Sequence, residues 1–193
     1  MSNANANRRV FVYSFLCFQR MEKEVAMILK KLVEFLDGNK VQYVVISHSP
    51  AFTAQDVAHS AHIPGKELAK VVIVWMDGAM GMAVLPASHM INFSLLKDVS
   101  GATNVELANE SDFKDRFPDC EVGAMPPFGN LFNMRVFVSA GLSDDKEIAF
   151  NAGSHRELVK MSYADYERLA QPKVAPFTFK KKTQEEESEP ELP

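Results

Sequence analysis

Between Glu22 and Asp37 the apolar residues Val25, Ile28, Leu29, Leu32, Val33 and Leu36 recur at the i, i+3, i+4, i+7 spacing that lines one face of a helix. Gly38-Asn39 predicts its end. Val41 to Ser47 is β-branched and aromatic and predicts a strand, which His48-Ser49-Pro50 breaks. Thr53-Ala-Gln-Asp56 has the spacing of a capping-box variant, predicting a short helix that Pro64-Gly65 terminates. The run from Lys70 to Met76 is almost unbroken apolar sequence, turned at Asp77-Gly78 into a second such run from Met80 to Pro86. Neither arm alternates polar with apolar, so both faces of this hairpin are covered and its strands are central. Lys70 stands at the entry of the first arm, where a charge is tolerated at a solvent edge or in a polar pocket.

Asn92 to Val99 predicts a helix closed by Gly101, Asn104 to Leu107 a strand, and Asn109-Glu-Ser-Asp112 the start of another capped helix that Pro118 stops. Arg135 to Ser139, Glu147 to Asn151 and Glu157 to Met161 predict strands, the last two separated by Gly153-Ser-His155. Ser162-Tyr-Ala-Asp165 caps a last helix to about Ala170, with Pro172 just beyond. Hairpin connections beside longer helical ones predict an α/β fold: a mixed, largely antiparallel curved sheet or small barrel with helices around it, in a single domain.

The stretch from Cys120 to Asn130 can be neither helix nor good strand. Pro126 and Pro127 remove two backbone donors, while Gly123 and Gly129 allow conformations and close approaches that a Cβ forbids. It reads either as a tight surface connection or as a stiff loop presenting the N–H groups of Ala124 and Met125 to a carbonyl or phosphate oxygen.

At 193 residues, 47% apolar and 24% charged, the chain has the makings of one ordinary globular domain. A net charge of -4 argues against coating nucleic acid by bulk electrostatics, though a local basic face is compatible with it. Cys17 and Cys120 have no metal-type spacing, and two isolated cysteines fit a reduced, cytoplasmic setting. The run Val10 to Phe18 after Arg8-Arg9 is too short for a membrane span and lacks a cleavage site, so residues 1–20 are read as an extension or a misassigned start. An intact mass beginning at Met1 would contradict the misassigned start. The domain is placed at 21–175. From 176 to 193 the chain turns to Lys180-Lys-Lys and Glu185-Glu-Glu, which predicts a disordered charged tail.

The commonest nucleophile, phosphate-binding and redox motifs are absent. His59 and His62 are three apart on a predicted helix, but no carboxylate or cysteine at ligand spacing joins them, so no metal is assigned. His155 lies in a small-residue break, Asn151-Ala-Gly-Ser-His155, from which a ring can reach a pocket or simply sit at the surface.

Lys70 at the head of an apolar strand, Gly123-Ala-Met-Pro-Pro127 as a G-x-x-x-P loop, and Gly153-Ser-His155 near the end, in that order, resemble the YbaK and prolyl-tRNA synthetase-associated editing domain family. His48-Ser-Pro50 with Thr53-Ala-Gln55, Ile63-Pro-Gly65 and Pro126-Pro-Phe-Gly-Asn130 support the resemblance, which covers about Glu22 to Lys173. It implies a YbaK-like fold and a free-standing trans-editing deacylase that hydrolyses mischarged aminoacyl-tRNA without metal or cofactor. It further implies that Lys70, Gly123 and His155 are the catalytic set. Thr53, Ala124, Met125, Pro126, Pro127, Gly129, Gly153 and Ser154 would bind substrate. The implied partners are mischarged aminoacyl-tRNA, with tRNA(Pro) a candidate, and transiently an aminoacyl-tRNA synthetase; no membrane is implied. The alternative is a non-catalytic module that holds an aminoacylated RNA end or a nucleotide-like ligand.

Overall fold

The computed structural model describes residues 30–180. The readings made for residues 1–20, for the first turns of the helix beginning at Glu22 and for the tail beyond Lys180 lie outside the described residues. Helix α1 is described over 30–38, with Leu32 and Leu36 buried against the core and Lys30, Lys31 and Glu34 outside, as the apolar spacing predicts. The elements that follow are β1 (Tyr43–Ser47), α2 (Ala54–Ser60), β2 (Leu68–Met76), β3 (Ala79–Pro86), β4 (His89–Ile91), α3 (Phe93–Ser100), β5 (Val105–Leu107) and α4 (Glu110–Phe113). After the proline loop come β6 (Arg135–Ser139), α5 (Ala140–Ser143), β7 (Glu147–Asn151), β8 (Glu157–Ser162), α6 (Tyr163–Ala170), β9 (Lys173–Ala175) and β10 (Thr178–Lys180).

The main sheet has the order β1-β8-β7-β2-β3-β6-β9, with β5 also on β2. The β1–β8, β8–β7, β2–β3 and β2–β5 pairings are antiparallel, and β7–β2, β3–β6 and β6–β9 are parallel. Among the described residues this is an open mixed sheet, so of the two forms predicted the curved sheet is the one adopted. β2 and β3 are central, as their unbroken apolar runs require. Side chains of β2 alternate between the faces: Ala69, Val71 and Ile73 join the large core beneath α1 and α6, whereas Leu68 meets Val57 of α2, and Val72, Val74 and Met76 meet Leu96 of α3.

Local chemistry closes these elements. Thr53 Oγ1 accepts from Asp56 N–H at 3.1 Å, Asn92 Oδ1 from Leu95 N–H at 3.2 Å and Ser162 Oγ from Asp165 N–H at 3.1 Å. At the β2–β3 turn Asp77 and Gly78 both have positive φ, 48° and 81°, the pairing that lets a two-residue hairpin follow the strand twist. The Asp77 carboxylate accepts from the backbone N–H groups of Thr103 and Asn104, each at 2.8 Å, and these bonds hold its pKa below the ordinary carboxylate value. A depressed folded-state pKa stabilises the fold above the unfolded-state pKa, and that contribution disappears as pH falls through the folded value. Asp77→Ala therefore lowers Tm at neutral pH, and the gap to wild type in thermal melts narrows on acidification below about pH 4.

The short elements β4, α5, β9 and β10 carry no sequence signal long enough to predict, being three or four residues each. β10 pairs with β4 from Thr178 to Lys180, so paired structure continues past residue 175, where the sequence reading ends the domain and begins a disordered tail. The proline loop also departs from one reading of it. Residues 124–129 are all buried, so this is no surface connection. Phe128, fully buried, packs edge-on against Phe35, Phe150 and Tyr166, with ring centroids 5.6, 5.6 and 5.4 Å away, and Tyr166 Oη donates to Pro127 O at 3.1 Å. At Gly129 a Cβ would stand 2.5 Å from Met134 O and 2.6 Å from Val136 Cγ2. Gly129→Ala must push backbone against backbone, at an expected cost of about 1–3 kcal/mol. Thermal or urea unfolding reads that loss, and turnover per folded molecule should change little.

Candidate active site

The sheet opens at Lys70. β7 pairs with β2 only through Leu68↔Ala149 and Ala69↔Phe150, and β5 occupies the same edge of β2 from Val74 to Met76. Lys70 is the first residue past the β7 pairing, one step along the parallel register and level with Asn151, where β7 ends. Lys70 and Asn151 share the face that bears the α2 cluster, since their neighbours Leu68 and Ala149 both pack in it. Lys70 is part-buried, and its Nζ donates to Ala87 O at 3.2 Å. The lysine is therefore half-buried, with its amine held by a backbone carbonyl. Strands that part in this way leave a crevice at their ends, a recurrent place for ligands in open α/β sheets.

The proline loop and the turn after β7 meet at this opening. Glu121 N–H donates to Gly153 O and Gly153 N–H to Ala124 O, both at 2.9 Å, so residues 121–124 and Gly153 pair like two short strands. The Glu121 side chain accepts from His155 N–H at 2.6 Å. His155 Nε2 lies 2.9 Å from Val122 O. A carbonyl can only accept, so Nε2 carries the proton and Nδ1 presents a lone pair in the neutral ring. That Nδ1 is buried and has no hydrogen-bond partner among the described residues. Gly123 has φ +87°, is exposed, and lies close enough that a Cβ on it would be 3.5 Å from His155 Cε1. Gly153, at φ +100°, also needs the freedom of glycine.

Of the two amides the sequence assigns to an incoming oxygen, one is already used: Ala124 N–H donates to Glu121 O at 2.9 Å. Met125 N–H has no acceptor among the described residues. Pro126 and Pro127 are buried with Phe128 and Gly129, so they brace the loop from below. The Thr53 hydroxyl is occupied in capping α2, donating to Asp56 Oδ2 at 2.6 Å. Its neighbour Phe52 is the residue that the sequence reading missed. Its ring is 76% exposed yet lies 5.0 Å from the His155 ring, centroid to centroid, forming an aromatic lip over the histidine. A large apolar side chain in the short segment between the strand-breaking His48-Ser49-Pro50 and the cap Thr53 was the available signal. Ser154 Oγ is buried and accepts from Arg156 N–H at 3.3 Å, so it supports the turn.

The structure thus joins Gly123, Ala124, Gly153 and His155 in one hydrogen-bonded unit, with Phe52 against it. Lys70 borders the same α2 cluster through Ala87, as His155 does through Ala51, whose N–H donates to His155 O at 3.2 Å. Cys120 precedes the loop, but burial and the neighbouring Asp119 push its thiol up to about 12, leaving it protonated and a poor nucleophile. His59 lies in the last turn of α2, whereas His62 follows the helix with φ 53°, so the two do not share a helix face. Among the described residues no three His, Cys, Asp or Glu side chains converge as a metal site would require, and no helix is long and apolar enough to cross a membrane.

The structure thus combines a mixed sheet parted beside a lysine with a largely buried glycine-proline loop hydrogen-bonded to a histidine turn. The chain belongs to the aminoacyl-tRNA editing domain family, whose model matches residues 48–169. It is 26% identical over 153 residues to the multifunctional Ser/Thr-tRNA deacylase ProXp-y of Escherichia coli strain K12, covering 77% of this chain and 91% of that protein. Its fold is that of the hypothetical protein APE2540, with TM-score 0.70 at 20% identity over 77% of this chain and 99% of that one. It also matches a candidate trans-editing enzyme for prolyl tRNA synthetase, with TM-score 0.67 at 14% identity over 80% and 98% of the two chains.

Proposed function

We propose that this chain is a free-standing deacylase that hydrolyses the ester of mischarged aminoacyl-tRNA. The observation that carries the reading is the pairing of the Gly123 loop with the Gly153–His155 turn. It sets beside the Gly123 backbone a histidine whose buried Nδ1 has no hydrogen-bond partner among the described residues, with Lys70 bordering the same α2 cluster. An aminoacyl ester on a ribose is already activated, so the protein need only orient it, hold the developing oxyanion and place a water. In this scheme the backbone from Gly123 to Met125, with Met125 N–H as the remaining amide donor, receives the ester carbonyl oxygen. His155 Nδ1 accepts a hydrogen bond from the attacking water or from the neighbouring ribose hydroxyl. Lys70 neutralises a phosphate or substrate oxygen of the terminal nucleotide, and Phe52 covers the site. The water oxygen bonds to the carbonyl carbon, the carbon–oxygen bond to ribose breaks, and the water's proton passes to the departing ribose oxygen.

Purified protein incubated with a panel of mischarged tRNAs tests this, with seryl and threonyl esters included because of the E. coli relative and tRNA(Pro) among the bodies. Loss of the amino acid from at least one member, abolished by His155→Ala, is the expected result. Binding to the panel without hydrolysis would leave the same pocket as a module that holds an aminoacylated end. Co-purification with a synthetase would test the expected transient association.

A further inference from the structure

Among the described residues four buried side-chain polar atoms have no hydrogen-bond partner: His48 Nε2, Asn151 Oδ1, His155 Nδ1 and the Tyr163 hydroxyl. Three of them belong to residues at one end of the main sheet. Asn151 is the last residue of β7, His48 directly follows β1, and His155 stands two residues before β8, with His48 N–H donating to Arg156 O at 2.9 Å. Tyr163 is at the other end, where its N–H donates to Lys146 O ahead of β7. The three also share one chemistry. His48 Nδ1 lies 2.7 Å from Ser49 O, which only accepts, so the proton is on Nδ1 and Nε2 keeps a lone pair, as Nδ1 does in His155. The amide oxygen of Asn151 is an acceptor as well. Buried polar atoms are nearly always paired, because each one left unpaired costs about 1–3 kcal/mol. Three unpaired acceptors at the open end of the sheet therefore call for a ligand group that donates, and not for an ionised phosphate or carboxylate, which has no proton to give.

Of the three, Asn151 is on the strand next to that of Lys70, whereas His48 follows the outermost strand and His155 Nδ1 already has a role in the scheme above. Asn151 is level with Lys70 on the same face, and Leu158, its partner across on β8, is fully buried and offers it no donor. The Lys70 amine bonds to Ala87 O, just past β3, on the side of β2 away from β7. An aspartate at 151 would draw that amine into an ion pair, but a neutral amide oxygen stays available to a substrate. We propose that Asn151 Oδ1 accepts a hydrogen bond from the α-ammonium group of the aminoacyl ester and so distinguishes it from an ester without the amine. The α-ammonium is the strongest donor such a substrate has, with three N–H groups and a full charge, and it is one carbon away from the ester carbonyl. Gly153, two residues after Asn151, is bonded to the loop that receives this carbonyl in the scheme above. The inference rests on the deacylase reading for its substrate, and adds the residue that reads its amine.

The probes are 3′-amino-3′-deoxyadenosine carrying a seryl group in amide linkage, and the same compound without the α-amino group, with both affinities read by calorimetry. The wild-type protein should bind the amine-bearing probe at least about tenfold more tightly, the size of one charged hydrogen bond. Asn151→Leu should remove that preference by weakening the first probe alone. Because leucine replaces an unpaired buried acceptor with an apolar group of similar size, Tm should stay the same or rise. Asn151→Ala, which adds no bulk, should lose the preference in the same way. Equal affinity of the wild type for the two probes would overturn the proposal, as would variants that keep the preference or failure of the wild type to bind the amine-bearing probe. A preference that depends on Asn151 in a protein that hydrolyses nothing in the tRNA panel defeats the deacylase reading alone. Hydrolysis of the panel with a preference that survives Asn151→Leu and Asn151→Ala defeats this inference alone.

Discussion

Gly123→Val should reduce kcat/KM for a mischarged tRNA by about a hundredfold or more while leaving a folded protein, an effect the size of losing one oxyanion donor. Two features of the site combine to produce it. The backbone at φ +87° is left-handed, which costs a residue with a Cβ about 1–2 kcal/mol and a β-branched one at least that. The new side chain would also leave the backbone 3.5 Å from His155 Cε1 and fill the space between loop and ring where the ester must lie. Because Gly123 is exposed, relaxation of the loop can absorb the strain without unpacking Phe128, and Tm should fall by only a few degrees. Gly123→Ala gives the graded control: its Cβ makes only ordinary contact with the ring, so it should retain more activity than Val. Wild-type turnover by the valine variant would show that the loop is a connector and not a substrate cradle.

The second large effect is expected at Lys70. Replacing it with Ala removes the cation from the opening between β2 and β7, and the loss of a charged hydrogen bond to substrate corresponds to about 1.5–3 kcal/mol, or about ten- to hundredfold in kcat/KM. Lys70→Arg should not restore the rate. The guanidinium is a planar fork, whereas this amine donates to Ala87 O from a part-buried position between two packed clusters. Thermal melts separate this from a structural role. If Lys70 only closes the strand end, Lys70→Ala shifts Tm and leaves turnover per folded molecule at the wild-type level. If it serves substrate, turnover falls with little change in Tm.

The chemistry of the site was only partly legible in the chain. Lys70, Gly123 and His155 stood out together only through the family resemblance, and the structure sets the histidine against the Gly123 loop, its Nε2 2.9 Å from Val122 O. The supply of amide donors was misread at Ala124, because a turn bond to Glu121 O is formed by backbone atoms that carry no side-chain signature. Phe52 escaped for a related reason: a ring contact at 5.0 Å joins residues more than a hundred positions apart, and no local pattern encodes it.

What the sequence determined by itself is whatever depends on near neighbours along the chain. The apolar stripe of α1, the caps at Thr53, Asn92 and Ser162, the Asp77-Gly78 turn and the doubly apolar β2–β3 hairpin follow from spacing and backbone preference within a few residues. Tertiary structure decided the rest: that β7 and β5 share one edge of β2 and leave it open at Lys70, that residues 124–129 of the proline loop are buried, and that β10 returns to β4. Those outcomes depend on pairings between distant segments, where three-residue strands gain stability only from the surface they meet. The candidate site lies where two such pairings part.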